Sequence, residues 1–213
     1  RIENSARKFQ AEIAPRYDMI VIFSAMLGKT NEMVGWVEQT SPLYDAREYD
    51  AVVASGENVT AGLMALTLQE MDVPARSWQG WQVPINTTSA HGAARFVSIP
   101  RDNIDAKFAE GFKVAVVAGF QGLSPEGRIT TLGRGGSDTT AVAFAAAFGV
   151  DGKGAFELIG EAEVIHHQTA GFVSEYAVHA GDGLHQAVAL HRLVGIHGRK
   201  TRRVEAGQPH VAH

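Results

Sequence analysis

The sequence contains no cysteine, and this absence excludes several classes of protein. Without thiols there can be no disulfide-stapled scaffold, no Cys-ligated zinc and no thiol catalysis. Positive charge is also scarce, because 19 Lys and Arg stand against 23 Asp and Glu and give a formal net charge of −4. Nucleic-acid and anionic-membrane partners favour a basic balance, so we expect neither. No apolar run reaches the ~20 residues of a membrane span and no signal peptide is visible, so we expect a cytoplasmic protein.

Histidine is unevenly distributed, and its distribution divides the chain into two parts. Eight of the nine histidines follow residue 160, and glycines cluster over residues 149–154 after a helical pattern. We place a boundary at that cluster. Residues 1–149 predict one domain, and residues 150–213 form a His-rich C-terminal segment. Frequent glycine and scattered apolar positions in this segment predict weak order, with a helix over 186–194 if it covers a sheet edge.

Alternating strand and helix patterns in residues 1–149 predict an α/β fold. Residues 19–23 and 113–118 are short apolar runs, typical of strands buried on both faces of a parallel sheet. Helical patterns occupy residues 3–15, 59–71 and 139–148, among others. We therefore expect a mostly parallel sheet between helices. Ligands bind such sheets at the carboxyl ends of the strands, which is where the glycine-bearing loops fall.

The segment Gly133–Asp138 carries three glycines and directly precedes a predicted helix. Glycines allow the backbone to approach an anion, the start of a helix offers unpaired N–H groups, and Arg134 is a rigid fork for a carboxylate or phosphate. The spacing matches neither the dinucleotide-binding nor the Walker motif. A tight turn with a capping Asp138 and a solvated Arg134 is the alternative.

Two further loops carry polar side chains at predicted strand or helix ends. Glu57 lies at the start of a helix, where it either meets a substrate amine or complements the helix dipole. Ser24, Thr30 and Asn31 follow the first buried strand, where hydroxyl groups bind small polar ligands or act as turn and cap residues. The residues alone leave both alternatives open.

Taken together, these segments resemble aspartate kinases of the amino acid kinase family, over about residues 19–149. The similar blocks occur in the family's order: 21–26 with 30–31, 45–50 with 54–57, 74–82, 90–95, 117–122 and 129–141. Aspartate kinases transfer the γ-phosphoryl group of ATP to the β-carboxylate of L-aspartate, the first step towards lysine, threonine and methionine. The resemblance thus implies an amino acid kinase-like sandwich, L-aspartate as substrate, and ATP and Mg²⁺ as cofactors.

The resemblance also implies roles for six residues: Ser24, Thr30, Glu57, Arg134, Ser137 and Asp138. Thr30 and Glu57 would bind aspartate, the latter through its amino group. Arg134 would hold a carboxylate in a bidentate pair, and with Asp138 it forms the implied catalytic pair. Ser137 would stand at the reacting carboxylate, and Ser24 would lie near the phosphates. No metal-ligating protein residue is implied.

Two family segments have no match here, namely the N-terminal Lys-Phe-Gly-Gly segment and the later nucleotide block. We therefore expect an incomplete sheet, with an open edge through which copies of the chain would associate. We also expect an incomplete catalyst. The alternatives are a non-catalytic aspartate-binding remnant, a frameshifted or chimeric fragment, and another amino acid kinase, such as one acting on acetylglutamate.

Overall fold

The computed structural model describes residues 2–12, 18–133 and 135–149, together with four short strands beyond residue 150. The helices are α1 (Ile2–Glu12), α2 (Lys29–Thr40), α3 (Ala46–Val53), α4 (Ser55–Glu70), α5 (Asp102–Ala109) and α6 (Gly136–Gly149). The first seven strands are β1 (Asp18–Phe23), β2 (Ala75–Trp78), β3 (Asn86–Thr87), β4 (Phe96–Ser98), β5 (Val114–Ala118), β6 (Gln121–Leu123) and β7 (Ile129–Thr131). The later strands are β8 (Ala155–Glu157), β9 (Ala162–Ile165), β10 (Ala177–Ala180) and β11 (Gln186–His191).

A five-stranded sheet in the order β2-β5-β1-β11-β8 forms the centre of the fold. Strands β2, β5 and β1 are parallel, and β11 pairs antiparallel with β1 over six residues. Both strands predicted from apolar runs, β1 and β5, lie in the interior of this sheet and are buried along their whole length. The expected α/β class with a parallel sheet between helices is therefore confirmed.

The alternation of side chains along β1 supplies two hydrophobic cores, one on each face of the sheet. Met19, Val21 and Phe23 pack with α4 residues on one face, and Ile20 and Ile22 pack on the other. The α4 partners are Ala61, Met64, Ala65 and Leu68. The partners on the second face include Ile104, Phe108, Phe144 and Phe148 from α5 and α6. Burial of a large apolar side chain stabilises a fold by roughly 1.5–3 kcal/mol, so β1 anchors both helix layers.

A second sheet has four strands in the order β4-β3-β6-β7. Strands β6 and β7 are antiparallel and are joined by the turn at Ser124–Gly127. The hydroxyl groups of Thr87 and Thr130 lie 2.6 Å apart in the buried interior of this small sheet. This hairpin positions the segment that leads into α6.

The segment after residue 150 joins the central sheet through β11, which is a strand and not the helix expected over 186–194. The reason is the edge of β1, whose N–H and C=O groups would otherwise lack partners, and a strand satisfies them where a helix cannot. With β11 in place, the described edge strands of the central sheet are β2 and β8. Association of copies through an edge stays a prediction, as does the division of the chain at residues 149 and 150.

Among the residues that the structure describes, one helical stretch, Ala46–Glu70, is long and apolar enough to cross a membrane when length and composition alone are considered. Half of its most apolar window is buried inside the protein, and it includes the α4 residues that pack on β1. The core helix of a globular protein passes the same test, so this stretch is weak evidence for a membrane span.

Two glycine-to-alanine substitutions test the packing of the small sheet. A Cβ at Gly122 in β6 would lie 2.3 Å from Thr87 Cγ2 and 2.9 Å from the Ile85 carbonyl oxygen. We expect Gly122→Ala to lower the free energy of unfolding by about 1–3 kcal/mol because the strands must separate. Gly62→Ala in α4 is the control, because a Cβ there meets nothing within 4 Å. It should raise stability by about 0.5–1 kcal/mol. Urea unfolding would measure both, and equal effects of the two substitutions would contradict the described packing.

Candidate functional site

A cavity of about 910 Å³ opens at the carboxyl ends of β1 and β5. Five of the six residues assigned roles by resemblance line it: Ser24, Thr30, Glu57, Ser137 and Asp138. They come from segments up to about 110 residues apart in the chain, and the parallel strands bring them to one edge. The sixth residue, Arg134, lies outside the described residues. Its neighbours Gly133 and Gly135 both line the cavity.

Three helices begin at this cavity. Thr30 lies in the first turn of α2, Glu57 in the first turn of α4, and Ser137 with Asp138 in the first turn of α6. The first N–H groups of a helix have no partner within the helix, and the helix dipole adds partial positive charge there. Their convergence therefore favours a ligand that carries negative charge.

Glu57 is the unusual group in the site, because it is a carboxylate that is 3% exposed. Its Oε1 accepts a hydrogen bond from the backbone N–H of Ala25 at 3.1 Å, whereas its buried Oε2 has no hydrogen-bond partner among the described residues. Burial raises the pKa of Glu57 from 4.5 to about 7, although the backbone hydrogen bonds partly oppose that shift. An ionised carboxylate in such a place requires a cation, and a ligand in the cavity can bring one.

Gly56 explains how Glu57 reaches the loop after β1. A Cβ at Gly56 would lie 2.8 Å from the Ala25 Cβ and 2.6 Å from the Met33 Cε. Only glycine therefore allows the start of α4 to approach this loop closely enough for the Ala25 N–H to meet Glu57. The Ser-Gly-Glu pattern thus has a packing reason as well as a chemical one.

The cavity is also lined by residues that were not predicted from the sequence as site residues, among them Tyr49, Gly92, Phe120 and Thr131. Each belongs to a block that resembles aspartate kinases, so the resemblance itself could have identified them as candidates. Phe120 has a positive φ of 67° at the turn between β5 and β6, which is uncommon for a bulky residue. Burial is the main cause that raises the pKa of Tyr49 above its usual 10.0.

The fit of the implied cofactors can be tested on the cavity lining. Among the described residues, the lining contains no Lys or Arg that would offset the charge of a triphosphate. The described part of the chain also contains no group of three or more His, Asp or Glu side chains that could hold a metal ion. The described residues therefore fit a small zwitterion better than a nucleoside triphosphate with Mg²⁺.

Comparison with known proteins identifies the class. The model of the amino acid kinase family matches residues 1–152, and the chain therefore belongs to this family. It is similar to the aspartate kinase of Pseudomonas putida, with 46% identity over 151 residues, which are 71% of this chain and 36% of that protein. Aspartokinase 2 of Bacillus subtilis is 42% identical over 151 residues, covering 71% of this chain and 37% of that protein.

A solved structure agrees with these relatives. The crystal structure of aspartate kinase from Synechocystis matches with a TM-score of 0.56 and 39% identity, over 68% of this chain and 24% of that chain. The resemblance to aspartate kinases is therefore confirmed. The chain spans little more than a third of the length of the two curated relatives.

The raised pKa of Glu57 predicts a pH-dependent effect of Glu57→Gln on stability. The folded protein binds the Glu57 proton more tightly than the unfolded chain, so this group costs no stability below pH 4.5 and its full cost above pH 7. We expect Glu57→Gln to unfold like the wild type near pH 4. Near pH 8 the variant should be more stable by about 3 kcal/mol, which is the shift converted to free energy.

Urea unfolding of both proteins between pH 4 and pH 8 measures this difference. Glu70→Gln is the matched control, because Glu70 is an exposed glutamate at the other end of α4. This control should change stability by no more than about 0.5 kcal/mol at either pH. A constant difference between Glu57→Gln and the wild type across the range would refute the proposed burial of the carboxylate.

Proposed function

We propose that this chain carries the aspartate-binding site of an aspartate kinase. The observation that carries the proposal is the buried Glu57 carboxylate, whose Oε2 lacks a partner among the described residues and which lines a cavity with Ser24, Thr30, Ser137 and Asp138. The ammonium group of an amino acid would supply the missing counter-charge. The carboxylates of the same ligand would lie towards the starts of α2 and α6.

The reaction proposed for this site requires few chemical steps from the protein itself. Phosphoryl transfer to a carboxylate depends mainly on holding two anions together in line, with little covalent help from the protein. Glu57 and Thr30 would fix the amino acid, and Arg134 would hold a carboxylate in a bidentate pair. Ser137 and Asp138, in the first turn of α6, would orient the carboxylate that is phosphorylated. ATP with Mg²⁺ would supply the phosphoryl group, and residues other than the described lining would have to offset the charge of its phosphates.

The state of the ligand's amine separates this proposal from an acetylglutamate kinase. An acetylated amine has no positive charge at neutral pH, so it could not offset the Glu57 carboxylate. A free ammonium group can, and its attraction to the buried Glu57 carboxylate is stronger than that between two exposed charges. Glu57 therefore supports an amino acid with a free amine. A place in lysine, threonine and methionine biosynthesis and a cytoplasmic location complete the proposal.

Calorimetry with L-aspartate tests the binding role directly. We expect Arg134→Ala to weaken binding by about 1.5–3 kcal/mol, the range for hydrogen bonds to charged groups. N-acetyl-L-aspartate should bind the wild type far more weakly than L-aspartate because it lacks the ammonium group. Arg47→Ala is the control, since Arg47 is exposed and does not line the cavity. Equal affinities of wild type and Arg134→Ala would remove Arg134 from the site.

Turnover tests a separate part of the proposal. The sequence of residues 1–213 has no match to the family's phosphate-binding Lys-Phe-Gly-Gly segment or to its nucleotide block. Each missing electrostatic donor commonly costs ~10²–10³ in rate, so this polypeptide should show very low kinase activity. A hydroxamate assay for the acyl phosphate measures it. Turnover near the ~10 s⁻¹ of an ordinary enzyme would show that other residues provide the phosphate site.

A further inference from the structure

Asp50, near the end of α3, is a second buried carboxylate, and it is fully buried. Unlike Glu57, it is surrounded by donors. Its Oδ1 accepts from the Thr131 hydroxyl at 2.6 Å and from the Gly92 N–H at 3.1 Å. Its Oδ2 lies 2.7 Å from His91 Nδ1 and 3.2 Å from the same Gly92 nitrogen. Because a carboxylate only accepts, His91 Nδ1 carries the hydrogen.

These donors join Asp50 to two segments that build the cavity. Thr131 is the last residue of β7, two positions before Gly133, and its carbonyl accepts from the Ala94 N–H at 2.9 Å. Gly133 has a positive φ of 81°, and a Cβ there would lie 3.3 Å from the Gly92 carbonyl oxygen. The turn around Gly92 and the loop that begins at Gly133 are therefore closely packed. Asp50 binds the turn through Gly92, and it binds the strand that leads into the loop through Thr131.

We propose that Asp50 is a positioning residue that, with His91, fixes the Gly133–Asp138 loop in its ligand-binding arrangement. This inference rests on the proposed aspartate site, because the loop carries Arg134, Ser137 and Asp138. Asp50 and His91 are both absent from the cavity lining, so they act through Gly92 and Thr131. Removing one partner would leave buried donors or acceptors unpaired beside the loop, where the backbone has two glycines in positive-φ conformations.

A second buried aspartate offers a matched control. Asp18, at the opposite end of the central sheet, is 3% exposed and pairs with Lys113 Nζ at 3.0 Å. Asp18→Asn and Asp50→Asn therefore make the same chemical change in equally buried places. Only Asp50 touches the segments that build the cavity, so a general loss of stability and a loss of loop positioning can be separated.

The test compares Asp50→Asn, His91→Leu and Asp18→Asn in the full chain by two measurements. One is NMR hydrogen exchange of the Gly136 and Ala94 amides, which donate to Gly133 and Thr131 carbonyls respectively. The other is the Kd for L-aspartate by calorimetry. Asp50→Asn and His91→Leu should speed exchange of these amides about tenfold or more and raise the Kd about tenfold. His91→Asn, whose side-chain amide can replace Nδ1–H, should restore both values.

Each outcome decides the proposal. Wild-type exchange rates at Gly136 and Ala94 in both Asp50→Asn and His91→Leu would overturn it, and so would faster exchange with an unchanged Kd. An equal effect of Asp18→Asn on these amides would reduce Asp50 to a purely structural residue. If the wild type itself binds no aspartate, the proposed function fails, and the exchange rates still show whether Asp50 holds the loop. Should Asp50→Asn not fold, the two His91 variants carry the same comparison.

Discussion

The site depends on one constraint, a buried carboxylate with no charge partner among the described residues. Glu57 is 3% exposed, and its Oε1 accepts from the Ala25 N–H, whereas its buried Oε2 has no partner among the described residues. A buried charge without a partner opposes folding. Such a group is therefore expected where a bound ligand can balance its charge. Gly56 allows the start of α4 to lie close to the loop after β1. This close approach places the Glu57 carboxylate at the cavity wall.

The two ends of the central sheet show the contrast between a satisfied and an unsatisfied acid. At the amino end of β1, Asp18 is neutralised by Lys113, and at the carboxyl end Asp50 is enclosed by donors. Among these three acids, only Glu57 has a buried oxygen without a partner among the described residues. The buried acid at the amino end of β1 is thus already paired, whereas the cavity at the carboxyl ends of the strands contains a carboxylate whose charge a ligand must balance. Strained or unpaired groups of this kind concentrate at functional sites.

The local sequence pattern predicted the strands whose burial is evident from their own residues. Residues 19–23 and 113–118 could be recognised as strands because an uninterrupted apolar run suits a strand buried on both faces. The strand β11 could not, because its conformation depends on an edge more than 160 residues earlier in the chain. The glycine-bearing loops and the blocks that resemble aspartate kinases identified five of the residues that line the cavity. The pairing of Asp50 with His91 spans 41 residues and left no periodic signal, so only the tertiary structure reveals it.

Proton release on binding of L-aspartate is the most direct measure of the role of Glu57. Burial raises the pKa of Glu57 to about 7, so at pH 6.5 the protonated carboxyl is well populated. An incoming ammonium group favours the ionised form, and that proton must leave. Calorimetry at pH 6.5 in buffers of different ionisation enthalpy should therefore show net proton release when L-aspartate binds the wild type, and close to none for Glu57→Gln. Binding of L-aspartate to the wild type without proton release would show that Glu57 does not meet the ammonium group of the ligand.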